Sequence, residues 1–248
     1  MVVSSAQAQA DAIEAELAAI GTAERAQAEK GYLKSELAFH GTTVWQIERA
    51  VKAAAGRDAV ETHDQLVALV EELWRKPVHE RRMAAAMLLE RDVRLLGVDD
   101  LPLIERLIRE SKTWAYVDAL AGNVGGVIAQ QWPADVGGIL DQWARDDDFW
   151  VRRSALLAQL RPLRSGAPFE RFARHADAML DETEFFIRKA IGWVLRETGK
   201  RRPDEVIAWL APRTDRASGV TMREAVKYLP PAESERLMTA YREKRPAG

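Results

Sequence analysis

Trp114 and Asp118 stand four residues apart in Ser111-Lys112-Thr113-Trp114-Ala115-Tyr116-Val117-Asp118, so on a helix they share one face. An indole beside a carboxylate is a receptor for positive charge. The plate excludes water and offers its π face, and the carboxylate supplies formal charge in the resulting low dielectric. Taken alone, the pair reads more simply as a core tryptophan and an aspartate solvated at a helix edge, with Thr113 or Ser111 as the cap. Other groups shift that balance. Trp150 with Arg152 and Arg153 follows one interval later, and Phe185, Phe186, Arg188, Lys189 and Trp193 follow after two. If the helices carrying them are neighbours, a carboxylate, aromatic plates and guanidinium groups face one groove. That set suits an anionic backbone that develops positive charge at one point, because Arg holds phosphate through paired hydrogen bonds while Trp presses on a sugar or base.

The elements that must position these residues are helices. Segments such as DQLVALVEELW (64–74), RRMAAAMLLERDV (81–93) and DLPLIERLIRES (100–111) place apolar residues at intervals of three and four. Short punctuations separate them: Gly97 to Asp100, Trp132-Pro133, Arg161-Pro162, Gly199 with Pro203, and Pro230-Pro231. No useful alternating pattern appears, so the expected class is all-α. Trp114, Trp150 and Phe186 are 36 residues apart in succession, and FWVRRSAL (149–156) overlays FFIRKAIG (185–192) at the same offset. VTMREAVK (220–227) continues the series one residue short, and HERRMAAAML (79–88) echoes it in looser register. A repeat of two helices at this period predicts a right-handed α-solenoid of HEAT-like antiparallel helix pairs with a concave groove. We expect a single domain over 1–248, with capping helices in about 1–38 and a frayed EKRPAG end.

Composition narrows the chemistry. The chain has 248 residues, 47% hydrophobic and 30% charged, which places it among globular proteins with a sizeable core. With no cysteine, disulfides, thiolate zinc sites and cysteine nucleophiles are excluded. His40, His63, His79 and His175 show no metal-ligand spacing, so neither a metal site nor a cofactor is expected. Charges interrupt every apolar run before the roughly 18 residues of a membrane span. MVVSSAQAQADAIEAEL lacks the basic start and apolar block of an export signal, so the expected location is cytoplasmic. The net charge of -2 hides an uneven layout: residues 149–202 carry twelve Arg or Lys against six Asp or Glu. Such a segment offers either a basic face for a polyanion or an ordinary solvated surface.

TWAYVD (113–118), DDFWVRRSALLAQL (147–160) and EFFIRKAIGWVLRE (184–197) resemble the bacterial DNA alkylation repair glycosylases of the AlkD type, which are built from HEAT-like repeats. YLKSELAFHG (32–41), ELWRKPVHERRMAAAMLL (72–89) and TMREAVKYL (221–229) extend the resemblance. It implies Asp118 as the catalytic aspartate, Trp114 and Trp193 as cleft tryptophans, Arg153 as an arginine near DNA phosphate, and Tyr32 as an aromatic on the N-terminal side. Arg152, Phe185, Phe186, Arg188 and Lys189 join them as DNA-binding candidates. The implied reaction is excision of 3-methyladenine and 7-methylguanine from duplex DNA, with the base left stacked and the protein acting as a monomer at the nucleoid. Such bases already carry positive charge and leave without a general acid. What remains is to stabilise an oxocarbenium-like sugar, a task for Asp118. Lys189 shows no pattern that would lower its pKa, so lyase chemistry is not expected. A non-catalytic DNA- or protein-binding scaffold is the alternative. Two departures stand out: Thr113 replaces the first member of a frequent aromatic pair, and Thr43-Val44-Trp45-Gln46-Ile47-Glu48 replaces a turn with Pro and basic residues.

Overall fold

The computed structural model describes residues 2–57 and 60–243, so residues 244–248 of the expected frayed end lie outside the described residues. Among the described residues all regular elements are helical, and one isolated bridge pairs Ala38 with Val78. None of these helices is long and apolar enough to cross a membrane.

The repeat is written in the helix starts. Thr113, Asp148, Glu184 and Ser218 are N-caps spaced by 35, 36 and 34 residues, and their side chains accept the N–H of Ala115, Trp150, Phe186 and Thr221. Each acceptor satisfies one of the donors that a helix leaves unpaired at its start. The helix His79–Arg91 begins in the same register at Val78, which has no side-chain acceptor. There the backbone substitutes: the His79 N–H donates to the Ala38 carbonyl at 2.8 Å, and the Ala38 N–H to the Pro77 carbonyl at 2.9 Å. This substitution explains the looser sequence echo at 79–88.

Contacts divide the chain into two compact units, residues 1–120 and 121–248. In the first, the helix Val2–Ile20 buries Ala6, Ala10, Ile13 and Leu17, spaced for one face, against Val44–Arg57 and His63–Arg75. Buried Arg81 ties the same elements together, donating to the Leu73 and Glu72 carbonyls at the end of His63–Arg75 and to Glu14 of the first helix. The second helix, Ala23–Leu33, buries no residue.

In the second unit the helix Phe185–Gly199 packs on Gly219–Ala225, Phe149–Leu157 and Pro203–Leu210. Gly192 lets one of these come close, since a Cβ there would sit 2.7 Å from that of Glu224. Within each unit, polar contacts one repeat apart stitch neighbours: Trp74 Nε1 donates to Glu110 at 2.8 Å, Lys189 to Glu224 at 2.8 Å and Arg213 to Asp177 at 2.7 Å.

Candidate functional site

In the first unit the helix Trp114–Asp118 starts at Thr113, whose extended backbone and buried hydroxyl make it the cap; Ser111 instead donates to the Leu107 carbonyl at 2.7 Å and closes the preceding helix. Between them Lys112 adopts φ 50°, a left-handed conformation that turns the chain sharply. Trp114 is 36% exposed and Asp118 half-buried, whereas Tyr116 and Val117 are buried. The tryptophan and aspartate therefore share the outer face that their spacing predicts. Immediately after Asp118 the backbone widens into π-helical turns over Ala119–Gly125. Such local widening recurs at functional sites because it re-aims the side chains next to it.

The inner face explains how the outer one is held. The Tyr116 hydroxyl lies 2.6 Å from His79 Nδ1, the Phe39 ring stacks on the imidazole at 4.5 Å, and Trp74 meets Tyr116 edge-on at 5.8 Å. Burial lowers the His79 pKa to about 4 and raises that of the Tyr116 phenol well above its usual range. Both groups are therefore neutral, and a single proton is shared between the phenol oxygen and the imidazole nitrogen. Neither residue stood out in the sequence. The available signal was an aromatic inside TWAYVD on the face opposite Trp114.

Tyr32 is 72% exposed and meets Trp114 edge-on, with ring centroids 6.2 Å apart and planes at 89°. With Val44, Met83, Met87 and His79 the two rings line a pocket of about 320 Å³. The loop that follows Tyr32 is anchored by Glu80. This fully buried carboxylate accepts the N–H groups of His40, Gly41 and Thr42 at 3.0, 2.7 and 3.3 Å. Gly41 has φ +82°, and a Cβ there would lie 2.1 Å from the Thr22 carbonyl oxygen. The unusual segment 43–48 is a helix start: the Thr43 N–H donates to Gln46 Oε1 at 2.7 Å, and the Gln46 N–H to Thr43 Oγ1 at 3.2 Å. Trp45 stands exposed there with the Arg49 guanidinium 5.3 Å from its ring.

The second unit carries the remaining candidates. Arg153 is 3% exposed; its Nη1 donates to the Phe186 carbonyl at 2.5 Å and its guanidinium lies 5.8 Å from the Phe186 ring. Trp150 is not an open plate. It is 6% exposed and packs on Phe149 and Phe186 at 4.5 and 4.8 Å. The reason is register, because Trp114 directly follows its cap, as Phe149 and Phe185 do, whereas Trp150 and Phe186 stand one position further round the helix. Phe185 is accordingly exposed, while Phe186 and Trp193 are half-buried.

The basic surplus of residues 149–202 is largely bound internally. Arg152 donates to both Glu182 oxygens at 2.9 and 2.8 Å and to the Asp146 and Asp147 carbonyls at 2.6 and 3.0 Å. These bonds fix the capping turn Asp146–Asp148. Arg188 Nε donates to the Glu182 carbonyl at 2.6 Å. Lys189 donates to Glu224; burial opposes ionisation of that carboxyl, but bonds from Lys189 and Lys227 and the nearby Arg196 outweigh it and bring its pKa to about 2. Asp148 caps the helix through the Trp150 N–H at 2.8 Å, so the acidic run Asp146–Asp148 serves the helix start.

Among solved structures, the chain is similar to a predicted DNA alkylation repair enzyme from Enterococcus faecalis at 23% identity and a TM-score of 0.77, covering 85% of this chain and 97% of that one. This likeness shows a shared fold. No protein with a curated description matches the chain. The family model described as DNA alkylation repair enzyme matches residues 13–229, so the chain belongs to the DNA alkylation repair enzyme family.

Proposed function

We propose that this chain is a monofunctional DNA glycosylase that hydrolyses the N-glycosidic bond of cationic alkylated purines, 3-methyladenine and 7-methylguanine, in duplex DNA. The observation that carries this reading is the shared outer face of Trp114 and Asp118, held from behind by Tyr116 and flanked by the exposed Tyr32 ring. A carboxylate beside an indole suits a sugar that turns cationic as the base departs, and the aspartate also lies ready to orient the attacking water. The alkylated base leaves as a neutral molecule, so no acid is needed.

In this reading Trp193 is the second tryptophan that meets the DNA, and Phe185 offers an exposed ring to the backbone. Arg153, buried and fixed by the Phe186 carbonyl, lends positive charge that helps set the phosphate register. Phosphate contacts of that kind orient the duplex without reading its sequence. Arg188 and Lys189 contribute field more than direct contacts, since both are tied to neighbouring groups. The base stays stacked, and the chain acts as a cytoplasmic monomer.

The test is release of free 7-methylguanine from alkylated duplex DNA. Release without strand cleavage supports a monofunctional glycosylase. Binding of the duplex without release supports a scaffold instead.

A further inference from the structure

Arg171, in the helix Glu170–Ala178 of the second unit, is half-buried and makes no hydrogen bond or ion pair among the described residues. Its Nε is shut off from solvent without an acceptor. Arg213 and Arg216, by contrast, each hold a carboxylate. Buried donors left unpaired are costly and uncommon, so an unmatched guanidinium marks a place where an acceptor belongs.

The fold makes room for this group. Gly137 presents bare helix to it: a Cβ there would lie 2.5 Å from Arg171 Nη2. Beside it opens a cavity of about 390 Å³ walled by Pro133, Leu140, Pro162, Leu163 and Pro168, with Arg174 also on its lining. Arg174 comes no nearer than 3.7 Å to Asp141 Oδ1, an oxygen already bonded by His175 Nε2 at 2.6 Å. The two helices that start at this cavity, Pro133–Trp143 and Glu170–Ala178, lack side-chain caps, which adds positive potential. Asp135 and Glu170 in those first turns, and Asp141 beside Arg174, offset this positive charge, so selection of an anion rests on the unbonded Arg171 rather than on net charge.

We propose that this cavity binds a small amphipathic anion, a carboxylate on an apolar chain, with the head on Arg171 and Arg174 and the body along the prolines and leucines. Its size falls in the range of small-molecule sites, roughly 300–1,000 Å³. None of its lining residues belongs to the proposed DNA site, so the two readings stand or fall separately.

The test is calorimetric titration of the intact chain with octanoate, octanol, acetate and inorganic phosphate. We expect one octanoate per chain, with the other three at least tenfold weaker. Arg171→Met should weaken octanoate at least tenfold while leaving the melting temperature level or higher, because an unpaired buried donor is lost. Gly137→Ala, which displaces the guanidinium without removing charge, should weaken it in the same direction and covers the case in which Arg171→Met fails to fold. Equal binding of octanol, acetate or phosphate, unchanged octanoate binding in both variants, or no saturable octanoate binding would overturn the proposal.

Discussion

The Tyr116 hydroxyl and His79 Nδ1 lie 2.6 Å apart, and this one bond ties the helix of Trp114 and Asp118 to the helix His79–Arg91. Tyr116→Phe keeps the ring and strands the imidazole nitrogen in a buried site. The expected cost is about 1–3 kcal/mol, read from urea unfolding. No loss would mean that the bond contributes nothing to the placement of that helix.

The same histidine gives the fold an acid sensitivity. Its pKa falls from 6.5 to about 4 through burial, so between those values the unfolded chain binds the proton that the folded chain refuses. Stability therefore rises with pH across that window, and the penalty is complete below it, up to about 3 kcal/mol. The difference in unfolding free energy between the wild type and His79→Gln should shrink as pH drops from 7 to 4.5. A constant difference would show that His79 titrates normally.

Glu80 and Gly41 hold the loop behind Tyr32. Glu80→Ala leaves the Gly41 and Thr42 N–H groups without their buried acceptor, and Gly41→Ala places a methyl 2.1 Å from the Thr22 carbonyl oxygen. Each should destabilise by about 2–3 kcal/mol and hasten proteolytic cleavage within 34–43. Wild-type resistance in both variants would contradict this anchoring.

Arg152 should behave as a structural residue. Because Glu182 and two carbonyls use its donors, Arg152→Gln is expected to lower thermal stability while leaving the salt dependence of DNA binding unchanged. A shallower slope of log affinity against log salt would show that it contacts DNA phosphate.

The helical class and the repeat were legible because they rest on local signals: apolar spacing and cap residues recur near 36 residues whatever lies across the core. Facing was harder to read. The alignment of Trp114 with Trp150 is one position off, since the first cap interval is 35 residues, and one position on a helix turns a side chain by about 100°, enough to move it from surface to core. Charge told equally little about availability. Arg152 and Arg171 look alike in sequence, yet one is held by Glu182 and the other has no acceptor among the described residues. Their difference depends on partners about thirty residues away.

The central claim is that the Asp118 carboxylate lowers the barrier to losing a charged base. Single-turnover release of 7-methylguanine from duplex DNA by wild type and Asp118→Asn measures it directly. The account predicts a rate lower by about 10²–10³, equivalent to roughly 3–4 kcal/mol, with affinity for the duplex nearly unchanged. Equal rates in the two proteins would contradict it.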